Sequence, residues 1–248
     1  MDAVIEADAV SFAYDNRKVV DDVTLSVASG EFLGLVGPNG GGKTTLLNLL
    51  LGLRQPDHGE IRLFGEPIDR FDAGERIGYI PQERSGVDRS MPITVREVVS
   101  MGRYPHVGLN GLRADDTTLV TEAIETVGLE SEANTRIGKL SGGQRQRAAI
   151  ARMLAAEAEL LALDEPTVGI DAEAREHFYE LLDTLHRSGV TILLVEHDLG
   201  VVLEHADRIA CINQTLRYLG SSESFLDSDA LIETFGTAGK ALQAYSNP

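Results

Sequence analysis

The run Glu31 to Val36 passes directly into Gly37-Pro38-Asn39-Gly40-Gly41-Gly42-Lys43-Thr44-Thr45, which fits G-x-x-x-x-G-K-T between an apolar strand and a helix. Four of the six residues from Gly37 to Gly42 are glycine, so successive backbone N–H groups are free to turn inward around an anion. A helix starting near Lys43 adds roughly half a positive charge at its amino end. Lys43 is placed to reach outer phosphates, and Thr44 offers a hydroxyl to Mg2+, a hard cation that prefers oxygen ligands. A glycine-rich turn carrying a surface lysine is the alternative, and the strand before it and helix after it argue against that. The chain is therefore expected to be built around a phosphate-binding loop.

Two further motifs join it. Leu160-Leu161-Ala162-Leu163-Asp164-Glu165 is an apolar strand that delivers two carboxylates to its carboxyl end, where ligands sit in open α/β sheets. Asp164 suits a Mg2+ shell, directly or through water, and Glu165 is then placed to polarise a water aimed at a terminal phosphate. Leu140-Ser141-Gly142-Gly143-Gln144 opens a helix with Ser141 as N-cap and two glycines exposing backbone N–H groups, a second anion site without a lysine of its own.

The pattern around these motifs alternates. Val4 to Phe12, Val19 to Val27, Glu31 to Val36, Glu60 to Phe64 and Ile77 to Ile80 read as strands, with one helix over Lys43 to Leu51. From Arg84 to Ala156 the spacing is helical, best at Val95 to Met101, Ala114 to Val127 and Gly142 to Ala156. Strand and helix then alternate again through Glu159 to Leu163, Asp171 to Arg187, Val190 to Val195, Leu199 to His205 and Arg208 to Asn213, the signature of a parallel sheet covered by helices. Residues from Ser221 onward are read as two short helices and a tail. Cys211 lies within an apolar run and is expected to be a buried thiol.

The signature Leu140 to Gln144, ending twenty residues before Asp164, closely resembles that of the ATP-binding cassette family, and the resemblance covers essentially the whole chain. It implies an α/β fold: a P-loop NTPase (RecA-like) core with an antiparallel β subdomain over residues 1–83 and 157–220, an inserted α-helical subdomain over 84–156, and a C-terminal tail over 221–248. It implies ATP hydrolysis with Mg2+, with Lys43, Gln82, Glu165 and His197 in the catalytic roles and Thr44, Gln82 and Asp164 toward Mg2+. Tyr14 matches the aromatic that stacks on adenine, Gln82 the glutamine that hinges the helical block, Asp171 the loop aspartate at the subunit boundary, and His197 the histidine that senses the terminal phosphate. Nucleotide contacts are implied for Gly37 to Thr45, and for Ser141, Gly142, Gly143, Gln144 and Asp171. The family pairs two copies head to tail, so Ser141 and Gly143 of one would close over the ATP held by Gly37 to Thr45 of the other.

With 43% hydrophobic residues the composition is that of a soluble globular protein. The first residues, MDAVIEAD, are acidic where a secretory signal starts basic, and no apolar run approaches a bilayer span. The protein is thus expected at the cytoplasmic face of the cell membrane, working with integral membrane permease subunits and, through them, an extracytoplasmic solute-binding protein. Thirty-nine acidic against 22 basic residues argue against nucleic acid as a partner. A cassette acting on DNA or ribosomes would resemble tandem or coiled-coil-split forms, whereas only 58 residues lie between Gln82 and Ser141. Met91 to Arg103, Pro166 to Asp171 and Ala206 to Asn213 resemble the zinc and manganese importers; Gly102-Arg103-Tyr104-Pro105-His106 also resembles the iron-siderophore and cobalamin importers. Val87, Met91, Ile93 and Val95 are read either as contacts for the membrane subunit or as core. Gly41 stands where the family often has serine or alanine, and Glu196 where threonine or serine is frequent.

The formal net charge is -17, and Lys18, Lys43, Lys139 and Lys240 are the only lysines. Self-repulsion of that size is screened by salt, since the Debye length falls from about 8 Å at physiological strength to about 3 Å at 1 M. Denaturation midpoints are therefore expected to rise between low and molar salt; equal midpoints would exclude a fold adapted to a salt-rich cytoplasm.

Overall fold

The computed structural model describes residues 2–82, 92–108, 111–237 and 239–240. They fall into two compact units, Met1–Asp72 with Thr191–Pro248, and Ala73–Val190.

The first unit begins with a hairpin of β1 (Ala3–Tyr14) and β2 (Arg17–Ala28), in which Tyr14 pairs with Arg17 and Asp15 at the turn has a φ of 52°. Alternation buries Ile5, Ala7, Val10 and Phe12 of β1 and Val20, Val23, Leu25 and Val27 of β2. Next in the chain come β3 (Phe32–Val36), α1 (Lys43–Leu50), β4 (His58–Leu63) and β5 (Glu66–Pro67). β4 runs antiparallel to β1, and the sheet order is β2-β1-β4-β5. All five residues of β3 are buried, the continuous apolar pattern of a parallel strand covered on both faces.

The second unit pairs β6 (Ile77–Ile80) in parallel with β7 (Leu160–Asp164), from Ile77 opposite Leu160 to Ile80 opposite Leu163. Between these strands lie α2 (Val95–Ser100), α3 (Tyr104–Val107), α4 (Ala114–Thr126) and α5 (Gly142–Ala155), with α6 (Ala172–Arg187) after β7. α5 packs on α2 and α4 through a run in which Ala148, Ala149, Ile150 and Ala151 are fully buried. Starts are set by side chains: Thr94 with Glu97 and Ser141 with Gln144 form reciprocal capping boxes, and Asp171 caps α6. Val95 is fully buried, so it is a core residue and not a partner contact; Val87 and Met91 lie outside the described residues.

The chain then completes the first unit. β8 (Thr191–Val195) and β9 (Arg208–Asn213) flank β3 in parallel, linked by α7 (Leu199–His205). β10 (Thr215–Ser221) folds back antiparallel on β9, and α8 (Ser222–Leu226) and α9 (Asp229–Phe235) follow. Cys211 is buried in β9, and burial pushes its thiol pKa up. The expected strands and helices are all present; β5 and β10 were not among them. The expected α/β class, with parallel strands, an antiparallel sheet and a helical insertion, is what the fold contains.

One buried ion pair ties the second unit together. Arg103 Nε donates to Asp116 Oδ1 at 3.0 Å, and its Nη1 donates to the Ala155 carbonyl at 2.8 Å and to Glu157 Oε2 at 2.7 Å. The Arg113 backbone N–H and then the Arg103 guanidinium hold the Asp116 carboxyl below the usual carboxylate range. A depressed folded-state pKa contributes stability that is present above the unfolded value, about 3.9, and is lost as pH falls through the folded one. The stability gap between wild type and Asp116→Asn, from urea titrations, is thus expected to be widest at neutral pH and to close on acidification below the ordinary aspartate range; a gap independent of pH would contradict the assignment.

Candidate functional site

In the first unit the loop from Gly37 to Gly42 connects β3 to α1, and Lys43 is the first residue of the helix. Lys43 is only 6% exposed, and its Nζ donates to the Gly37 carbonyl at 2.9 Å and the Pro38 carbonyl at 3.4 Å. The ammonium is thus seated within the loop's own curve. Gly42 has a φ of 100°, and a Cβ there would sit 2.5 Å from the Val19 carbonyl of β2, so both backbone angle and space demand glycine. The Gly41 carbonyl accepts from the Gln214 N–H at 2.8 Å, while the Gln214 carbonyl accepts from the Asp21 N–H at 2.8 Å. The β9–β10 turn and β2 therefore grip the loop. Gln214, with a φ of 63°, had no signal in the sequence, because its part is played by backbone. Asn39, Gly40 and Thr44 are exposed and Pro38 is half-buried, whereas the Thr45 side chain is buried.

Beside this loop is an open cavity of 690 Å³ whose lining includes Tyr14, Lys18, Val19, Gly40 and Gln214. Tyr14 is 44% exposed, meets Phe12 edge to face at 5.0 Å, and has the Arg54 guanidinium over its ring at 4.9 Å. The structure thus brings the expected aromatic and the phosphate loop to one cavity. His197 follows β8 with its side chain 62% exposed, 3.6 Å from Oε2 of Glu196, whose side chain is 2% exposed. The same oxygen accepts the His197 backbone N–H at 3.3 Å. The charge at Glu196, unexplained by sequence, therefore lies buried against the base of the histidine.

In the second unit Asp164 is fully buried at the carboxyl end of β7, and burial followed by its charge raises the pKa of the Tyr79 phenol. Glu165, with a φ of 47°, occupies a region that non-glycine residues seldom adopt and that recurs at functional sites. Its Oε2 accepts from Gln82 Nε2 at 2.6 Å, so two of the predicted catalytic side chains are in direct contact. Asp164 and the Gln82 amide are hard oxygen donors, as is the Thr44 hydroxyl in the first unit, and that chemistry fits Mg2+.

At the start of α5, the Gln144 N–H donates to Ser141 Oγ at 3.2 Å and Gln144 Oε1 accepts from the Ser141 N–H at 2.9 Å. A Cβ on Gly143 would lie 2.8 Å from that of Ala174 in the first turn of α6, so any side chain there collides. The Asp171 carboxylate accepts the Ala174 N–H at 3.0 Å, which makes it the cap of α6.

The sequence profile of the ABC transporter family matches residues 20–168. The zinc uptake system ATP-binding protein ZurA of Listeria innocua is 40% identical over 91% of this chain and 88% of its own length. The manganese transport system ATP-binding protein MntA of Synechocystis is 38% identical over 94% of this chain and 90% of its own length. Among solved structures, cbiO1 from Clostridium perfringens, part of the ABC transporter complex cbiONQ, superposes with a TM-score of 0.81 at 25% identity, covering 98% of this chain and 100% of that one. The dimeric structure of a bacterial ABC transporter cassette superposes with a TM-score of 0.74 at 26% identity, covering 88% and 98%.

The geometry at Gly42 yields a direct test. Gly42→Ala is expected to lower nucleotide affinity at least about tenfold, the equivalent of 1.4 kcal/mol, while far-UV circular dichroism stays native. Wild-type affinity would show that the loop has slack to accept the methyl.

Proposed function

The chain belongs to the ABC transporter family, and from that premise we propose that it is the ATP-hydrolysing subunit of an importer whose cargo is zinc. The single observation that carries the reading is the loop of Gly37 to Thr45 with Lys43 already buried in its curve. The ammonium holds loop carbonyls at 2.9 and 3.4 Å, and phosphate oxygens would take over as its stronger, charge-assisted partners. Zinc is favoured because the 40% identical relative is named for zinc uptake. Manganese is the second reading, resting on the 38% identical relative named for manganese transport.

Within this proposal Gly37 to Thr45 hold the phosphates, Tyr14 stacks on adenine, and Thr44, Gln82 and Asp164 would hold Mg2+ through oxygen. Bound there, Mg2+ supplies neutralisation of charge on the phosphate oxygens. Glu165, held by Gln82, orients and polarises the attacking water, and His197, braced by Glu196, donates to the terminal phosphate. Ser141, Gly142, Gly143 and Gln144 of a second copy close over the nucleotide, with Asp171 at the boundary. This arrangement gives the lysine-free helix start of α5 a cation, Lys43 of the other copy, to share. The pair works at the cytoplasmic face of the membrane against permease subunits that hold the solute pathway, with a solute-binding protein delivering to them from outside.

Replacing Glu165 by glutamine removes the charge that polarises water but keeps the shape. Glu165→Gln is expected to hydrolyse ATP about 10²- to 10³-fold more slowly, to elute as a dimer in saturating MgATP, and to abolish radiolabelled zinc uptake when it replaces the wild type in cells. A monomer under those conditions would contradict the paired scheme; loss of manganese uptake with zinc uptake intact would reassign the cargo.

A further inference from the structure

We propose that Arg54 is a positioning residue for the nucleotide base: its guanidinium holds the Tyr14 ring from one side so that the other side is presented to adenine. This rests on the nucleotide-binding reading above. Tyr14 stands at the end of β1, at the tip of a hairpin, and is 44% exposed. An aromatic so placed loses rotamer freedom whenever a base stacks on it, and that cost is removed if the ring is already fixed. Two contacts fix it here. Phe12, only 8% exposed, meets the ring at 85° with centroids 5.0 Å apart, and the Arg54 guanidinium lies 4.9 Å from the Tyr14 centroid and 5.1 Å from that of Phe12. A cation at this distance is attracted to the ring face.

The cavity that reaches from Tyr14 to Gly40 is not lined by Arg54. Tyr14 thus offers the cavity ring surface that the guanidinium does not share. Arg54 is also tied to the phosphate loop. Its backbone N–H donates to the Asn48 carbonyl of α1 at 3.1 Å, and α1 begins at Lys43. Three residues on, Asp57 holds the Tyr14 end of β1 twice: its N–H donates to the Ser11 carbonyl at 2.9 Å and its carboxylate accepts the Ala13 N–H at 2.8 Å. The segment from Asn48 to Asp57 thus links the helix that carries Lys43 to the strand that carries the Tyr14 ring, and it sets the spacing between the two halves of the proposed nucleotide site.

Calorimetric binding of ADP and of pyrophosphate, which has no base, to the full chain tests this. Arg54→Met keeps the length and loses the charge; Arg54→Lys keeps a charge. The Met variant is expected to bind ADP about two- to fivefold more weakly, the size of one exposed cation–π contact, with pyrophosphate affinity unmoved, and the Lys variant is expected to recover most of the loss. Wild-type ADP affinity in the Met variant, or a parallel loss of pyrophosphate, would overturn the role of Arg54. A wild-type chain that binds neither compound would overturn the nucleotide reading itself.

Discussion

The first unit is built around one constraint, a loop so closely packed at Gly37, Gly41 and Gly42 that side chains have no room there. The loop keeps its curve because neighbours occupy the space where side chains would stand. The Val19 carbonyl fills the position of a Gly42 Cβ, and the Gln214 N–H holds the Gly41 carbonyl. Lys43 closes the ring by binding the carbonyls of Gly37 and Pro38. An ammonium buried to this degree is costly unless protein groups replace its water, and the two carbonyls do part of that. Nucleotide binding is accordingly an exchange of partners at Lys43, and the protein does not have to build the cradle at the moment of binding.

How far this was legible in the sequence depends on which part of each residue acts. The loop, the carboxylates after β7 and the capped start of α5 were readable because their chemistry lies in side-chain type and spacing. Gln214 was not, because it contributes an N–H and a carbonyl that any residue carries. β10 escaped because Thr215 to Ser221 form an edge strand with all seven of its positions half-buried or exposed, so no clean alternation marks it. β5 has two residues, one of them proline, too few to give a period. Val95 looked like surface or core with equal right, and only packing of α2 on α5 decided for core. Arg54 read as one more arginine in an acidic chain, since nothing local says that two rings of β1 lie beneath it.

Charge is distributed against the grain of the whole molecule. A net charge of -17 opposes any polyanion, yet of the four lysines Lys43 lies in the phosphate loop and Lys18 lines the neighbouring cavity. Lys18 is paired with Asp21 at 2.7 Å, an exposed bridge of little strength, so it is available to an anion at small cost. Attraction for phosphate is therefore local and short-ranged, which is what survives when salt screens the rest of the surface.

The same bookkeeping explains why one copy is incomplete under the proposed scheme. The helix start at Ser141 has its first donors partly committed to the Ser141–Gln144 capping box, and the motif Leu140 to Gln144 contains no lysine. Such a terminus stabilises an anion by roughly 1 kcal/mol or less at an exposed surface, far short of what a triphosphate loses on leaving water. It gains value only where the phosphate is already neutralised by Lys43 and by Mg2+, that is, in the cradle of another copy. Under the same proposed scheme, two chains of -17 each repel until that nucleotide lies between them. Association and nucleotide occupancy are then one equilibrium, and hydrolysis, by splitting the anion that joins the halves, is what lets them part.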